Sequence, residues 1–481
     1  MLQEKMAPEY GERPIDLPVQ APSRPVVRLV QSIWQTIQAR RGVMAYLPFI
    51  VAITLLFYGV SQQIFQTFTD ALRYQCYARL FWHGSQGIQH LPDIQCSFLS
   101  DFHMPANGIP PFHILPFEYP PFTLSIFSLP LVLPLPYYQI AFAGLMACAA
   151  LGIYWLLLRY GPQRAGIACM LYLVLGAWAT AEGRFDLVPA GLTLLCVIAA
   201  ERQRWTLAYI ALALGFLLKI YPLLLLPVLF LAEQITTGRI AKPSQTLTLK
   251  TLPNEIWHAL GGIGQWRWKN ALLFFGLILG ISAIFAIINF QGTIVSQLSY
   301  FVNRPVEIES TGSTVLWLST LIGHPANVVY TFGSVNIESD LDDIVALAFD
   351  LFFVLGVALT ILWQWRGTFD LTQAFIALLL VFVATGKVFS PQYLIWLIPL
   401  LAYNGAFNRP WLILWGCISL LTTIIYPFLF SQVTDITQLA AVPGFIEIVG
   451  ARNILLVLVT LALFFNWWGF NQHKKPAFVL P

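Results

Sequence analysis

Residues 44–76 read MAYLPFIVAITLLFYGVSQQIFQTFTDALRYQC, and the two halves of this run follow different rules. From Met44 to Phe65 nearly every side chain is apolar, enough to cross the ~30 Å of bilayer hydrocarbon that takes about 20 helical residues. The run has no small-residue cleavage site, and residues 1–43 before it are polar and rich in Pro and Arg, so a retained signal anchor is expected. Past Phe65 the pattern turns amphipathic. Asp70, Arg73, Tyr74 and Tyr77 fall at i, i+3, i+4 and i+7, one face of a helix leaving the end of the first span. Apolar helices joined by polar connectors, with charge at the helix mouths, define an all-α polytopic membrane protein.

The rest of the chain repeats the alternation. Of 481 residues, 58% are hydrophobic and 10% charged, and the mean hydropathy of +0.71 excludes a soluble globular domain and disorder alike. A net charge of +3 is too small to mark a nucleic-acid binder. Basic residues gather at 159–164, 201–204, 238–270, 365–366, 408–409 and 473–475. Lys and Arg mark cytoplasmic helix ends. Placing these connectors inside gives about twelve spans, near 44–65, 138–158, 165–181, 187–200, 205–218, 221–234, 271–290, 342–364, 371–386, 392–404, 411–430 and 452–469, with both termini cytoplasmic. Trp205, Trp266, Trp268, Trp363, Trp365, Trp467 and Trp468 sit beside the same ends, as an aromatic belt does.

The expected organisation is a cytoplasmic tail (1–43), a transmembrane domain (44–470) and a second tail (471–481). Large external loops cover 66–118 and 291–341, and a cytoplasmic loop covers 235–270. In the first tail Val26, Val30, Ile33, Trp34 and Ile37 share a helical face, which reads either as an interfacial helix or as a solvated tail. The apolar segment 119–136 (YPPFTLSIFSLPLVLPLP) breaks the parity of the later basic loops if it crosses. Its prolines also remove backbone donors. It is expected to be re-entrant or to lie in the outer interface, with protein covering its free carbonyls; a true crossing is the runner-up reading. Cys148, Cys169, Cys196 and Cys417 fall in apolar runs and read as small hydrophobes. Cys76 and Cys96 share the first external loop, either bridged, which stabilises by ~3 kcal/mol at this loop length, or as two free thiols.

Five connectors meet on the outer face under this topology. Asp70, fixed at the membrane surface among aromatic rings, suits a general base; pairing with Arg73 or starting a helix explains it equally well. Arg184 and Asp186 share a tight loop, where they either bind a polar headgroup or neutralise each other. Lys219 precedes Pro222 and suits a phosphate, or snorkels to the interface. Arg304 brings a planar fork for phosphate or carboxylate, with Glu307 and Glu309 two apart on one face of an extended strand. Lys387, Ser390 and Gln392 place a cation, a hydroxyl and an amide within six residues. Carboxylates and several cations on one face fit a reaction in which a phosphate-linked group leaves and a hydroxyl attacks.

His83, His90, His103 and His113 crowd the first loop with Asp93 and Asp101, but no pair has the spacing of HxxxH or HExxH ligands. Asp350 is the one acid placed well inside a span, where it marks an ion pathway or pairs with a buried hydroxyl. No Walker motif or nucleophile elbow occurs, so a lipid-linked donor is expected in place of a cytosolic nucleotide.

Together the connectors resemble the integral-membrane GT-C glycosyltransferases, and most closely glycosyltransferase family 87, the polyprenyl-phosphate-mannose-dependent α-mannosyltransferases of bacteria. The resemblance rests on Asp70 with its aromatic followers, Glu118-Tyr-Pro-Pro121, Gly183-Arg-Phe-Asp186, Lys219-Ile-Tyr-Pro222, Arg304-Pro-x-Glu-x-Glu309-Ser310 and Lys387-Val-Phe-Ser-Pro-Gln392-Tyr393. It implies a GT-C-like helical bundle in the plasma membrane with its active site facing outside. A hexose, mannose by likeness, passes from a polyprenyl-phosphate donor to a hydroxyl of a lipid or glycan acceptor. Asp70 matches the catalytic aspartate; Arg304, Lys219 and Lys387 match phosphate-binding positions, with Arg184, Asp186, Glu309, Gln392 and Tyr74 around the substrate. Many such enzymes carry a second acid beside the first, whereas Asp70 is followed by Ala71. No cofactor is expected beyond the donor, and a divalent metal stays open. The rival readings are a transporter, which needs midplane charges and repeated broken helices, and a lipid-glycan flippase or ligase.

Overall fold

The computed structural model describes residues 42–64, 66, 69–102, 108–243, 250–405 and 407–467. The amphipathic segment expected at 26–37, His103 and the tail 471–481 lie outside them. The first half of the described chain runs α1 (Leu47–Ile64), α2 (Asp70–His83), α3 (Tyr138–Tyr160), α4 (Ala165–Gly176), α5 (Leu187–Glu201), α6 (Trp205–Leu218), α7 (Leu226–Thr236) and α8 (Leu252–Gly261). The second half continues with α9 (Lys269–Ile288), α10 (Ser296–Asn303), β1 (Val306–Glu307), α11 (Thr311–Ser319), β2 (Ala326–Thr331) and β3 (Ser334–Ser339). It ends with α12 (Asp342–Trp365), α13 (Leu371–Thr385), α14 (Tyr393–Gly405), α15 (Arg409–Thr423) and α16 (Phe445–Phe464).

Among the described residues six helical segments are long and apolar enough to cross a membrane: Met44–Ser61, Leu135–Tyr160, Lys269–Ile288, Asp342–Trp365, Arg409–Gln432 and Phe445–Phe464. The chain is therefore a multi-pass membrane protein. The other expected spans fall on apolar helices of 10–17 residues: α4, α5, α6, Tyr221–Thr236, α13 and α14. Burial separates the two groups. Most of α13 and α14 is buried, whereas α9 and α12 leave Leu272, Leu279, Ile287, Leu347 and Leu351 exposed, as lipid-facing helices do. A helix enclosed by protein can end early because neighbours, not lipid, meet its terminal backbone groups. Asp350 is exposed on α12 beside Leu351.

Local chemistry sets the helix ends that matter. The Thr69 hydroxyl accepts from the Leu72 N–H and starts α2, while α13 starts with a capping box between Asp370 and Gln373. The segment 119–136 forms no continuous helix. It is broken into 3-10 turns at Pro121–Thr123, Leu129–Val132 and Leu135–Tyr137, with one α-helical turn at Leu124–Phe127 between them. It packs against α2, and two of its carbonyls are covered as expected: Gln75 donates to Leu135 O and the Tyr138 hydroxyl to Phe127 O.

One element departs from an all-α chain. Between α10 and α12 an antiparallel sheet has the order β1-β3-β2, with Val306 opposite Ile337 and Val328 opposite the same residue. Its strands are rich in β-branched residues. Phe332 and Gly333, both at positive φ, turn β2 into β3, the backbone that a two-residue hairpin favours. Ile308, Val335, Ile337, Leu439 and Phe445 form the core beneath it.

Candidate active site

The α2 helix carries the first part of the site. Tyr74 is buried, stacked on Phe127 at 4.2 Å between ring centroids and edge-on to Tyr119 and Phe185. That aromatic packing fixes the first turn, and with it Asp70, the first residue of the helix. Cys76 and Cys96 are disulfide-bonded, which ties the helix to the following loop.

Asp70 does not take Arg73 as its main partner. Its Oδ2 lies 2.7 Å from Arg184 Nη2, and Oδ1 is 3.9 Å from Arg73 Nη1. Arg73 instead pairs with Glu118 and lies over the Phe98 ring. Arg184 and Asp186 do not neutralise each other either. Asp186, fully buried, accepts from Lys219 Nζ and Trp396 Nε1, both at 2.6 Å. Lys219 therefore does not snorkel: its side chain is 15% exposed and sits near the faces of Phe185 and Trp396. Burial outweighs Asp186 and lowers the pKa of this lysine.

The connector between α9 and α12 supplies the other side. Arg304 lies over the Tyr300 ring, 5.3 Å from its centroid, and interacts electrostatically with Tyr393, Glu307 and Glu118. Among the described residues neither Arg304 nor Lys387 has a carboxylate within 4.0 Å. The Lys387 carbonyl accepts from Glu307 N, and Glu307 accepts in turn from Phe389 N. Gln392 is buried and accepts from the Ser390 hydroxyl. Glu307 and Glu309 are both buried. Desolvation raises both carboxyls, and repulsion from Glu309 adds to the shift at Glu307. Glu309 pairs with Arg452 of α16, 2.8 Å away, which holds α16 against the loop, and it lies in electrostatic range of Arg184.

The structure thus joins Asp70 to Arg184 and Asp186 to Lys219, with Arg304 in electrostatic reach of Glu118. Two participants, Arg452 and Glu182, escaped the sequence reading, and Glu118 entered it only as part of the Glu118-Tyr-Pro-Pro121 motif, with no role of its own. Glu118 is buried, and desolvation raises its carboxyl despite Arg73. Arg452 gives no signal beyond being a lone cation in an apolar run. Glu182, two residues before Arg184, has both carboxylate oxygens buried without a hydrogen-bond partner among the described residues; desolvation pushes it up to about 8. Among the described residues no three His, Cys, Asp or Glu side chains group as metal ligands. No protein-family model matches the chain, and no curated protein matches it.

Proposed function

We propose that the protein is a membrane glycosyltransferase that moves a hexose, mannose by resemblance, from a polyprenyl-phosphate donor to a hydroxyl of a lipid or glycan acceptor on the extracytoplasmic face. One observation carries the reading. A 19%-exposed carboxylate, Asp70, is held by Arg184, and Glu118 interacts electrostatically with both Asp70 and Arg304. An accessible acid and a cation within electrostatic reach of one shared carboxylate are what a hydroxyl nucleophile and a phosphate leaving group need.

In this mechanism Asp70 Oδ1 takes the acceptor's O–H proton as that oxygen attacks the anomeric carbon. The bond from that carbon to the phosphate oxygen breaks, and the electron pair leaves on polyprenyl phosphate. Arg304 and Lys387 offset the charge that grows there, the kind of electrostatic stabilisation that dominates many enzymes. Arg184 orients the carboxylate, and Lys219 with Asp186 braces the adjoining wall. The twelve-span topology with a re-entrant 119–136 segment belongs to the same proposal.

The test is purified full-length protein with labelled polyprenyl-phosphate-mannose and a hydroxyl acceptor. Release of lipid phosphate supports transfer; passage of label between leaflets without cleavage marks a carrier and sinks the proposal. General-base help typically contributes ~100- to 10,000-fold, so Asp70→Asn is expected to lose at least ~100-fold in turnover while still inserting. Near-normal turnover in that variant removes Asp70 from the chemistry.

A further inference from the structure

A cavity lies at the opposite end of α6 from Lys219. It measures about 540 Å³, within the range of small-molecule sites. Its rim holds Arg204, Arg267 and Lys269, contributed by two different connectors. Among the described residues none of these three has a carboxylate within 4.0 Å. The floor is polar and ordered. Asn270 donates to Glu233 Oε1 at 2.8 Å, and the Thr206 hydroxyl donates to Asn270 Oδ1 at 3.2 Å. The Arg267 backbone is pinned at both its N–H and its carbonyl by the Gln234 amide. Below the rim the lining turns apolar through Leu207 and Ile210. Leu207 is exposed, as are Leu272 and Phe275 on α9, which packs against α6.

We infer that this crevice binds the phosphate of an anionic membrane phospholipid in the leaflet opposite the candidate active site. Three cations line the opening against one carboxylate, Glu233, which leaves a net positive potential there, and Arg forks suit phosphate oxygens. The adjoining apolar strip is where the acyl chains of such a molecule lie. A soluble phosphate shares the head chemistry but makes no use of that strip. Phosphatidylcholine shares the phosphate, but its quaternary ammonium meets the cations unfavourably.

Binding of dihexanoyl phosphatidylglycerol, dihexanoyl phosphatidylcholine and glycerol phosphate to the detergent-solubilised full chain, followed by native mass spectrometry, tests this. The glycerol lipid is expected to bind at least tenfold tighter than either of the others. The triple variant R204Q/R267Q/K269Q is expected to lose that preference, and R204K/R267K/K269R to keep most of it. All three side chains are exposed, so neither variant opens a core. An unchanged preference in the glutamine variant overturns the site. Glycerol phosphate binding as tightly as the lipid overturns the lipid as occupant.

Discussion

At the scale of single residues, the outcome of each ambiguity turned on which partner lay nearest, and sequence spacing does not carry that information. Asp70 starts a helix and touches Arg73, as one reading held, yet its close partner arrives from a loop more than a hundred residues later. Glu182 shows the opposite case, a carboxyl with no partner to find. A buried acid whose pKa is raised to about 8 is protonated in the folded protein at neutral pH, while an unfolded Glu is ionised above roughly 4.3. The folded state therefore binds the extra proton between those values, and stability is expected to fall as pH rises through that window. Glu182→Gln removes the slope. Its thermal midpoint is expected to exceed the parent's at pH 8.5 and to match it near pH 4.5; equal midpoints at both pH values would show that water reaches the carboxyl. Arg304→Ala removes a charge-assisted contact of about 1.5–3 kcal/mol, so kcat/KM for the lipid donor is expected to fall ~10- to 100-fold, mainly through KM. Unchanged donor saturation argues against a phosphate role.

At the scale of elements, the sequence is most legible where periodicity meets a terminator. Thr69 before an amphipathic run and Gly84 after it bound α2 within a residue, and the prolines of 119–136 cut that segment into short turns. The small sheet was not legible, because strands of six residues in a polar loop have no apolar alternation strong enough to separate them from coil. Only the two glutamates at 307 and 309 hinted at an extended backbone. The sheet matters to the site through its turn: a Cβ on Gly333 would lie 2.6 Å from Glu118 Oε1, at a φ of +68°. Gly333→Ala is expected to cost about 1–2 kcal/mol from the backbone conformation alone and to displace the Arg73–Glu118 pair, which donor KM reports. The Cys76–Cys96 bridge closes a loop with a sequence separation of 20, and Cys76→Ser with Cys96→Ser is expected to lower stability by about 3 kcal/mol. Chemical denaturation in mixed micelles measures both.

At the scale of the whole molecule the open question is whether the short buried helices cross. The 14 residues of α6 rise about 21 Å at 1.5 Å per residue, less than the ~30 Å of hydrocarbon, yet Arg204 precedes its first residue and Lys219 follows its last. Two charged ends so close together are stable only if each meets a protein partner or water. Lys219 meets this condition through Asp186, and Arg204 does so by its exposure at the polar crevice that Asn270 also lines. The charge pattern was legible because Lys and Arg must reach water or a partner. The lengths were misleading because hydropathy counts residues as though lipid surrounded every helix. If α6 crosses, its two ends face different compartments, and so do the candidate active site and the phosphate crevice. Single cysteines at His83 and Asn303, exposed on the elements that carry Asp70 and lead into Arg304, and at Gln203 and Lys269, exposed at the crevice, separate the cases in intact cells or sealed vesicles. A membrane-impermeant maleimide is expected to label the first pair from one side and the second pair only after permeabilisation, or the reverse. Labelling of all four from one side makes α6 a re-entrant hairpin arm, places the crevice and Asp70 in one compartment, and breaks the topology on which an extracytoplasmic transferase depends.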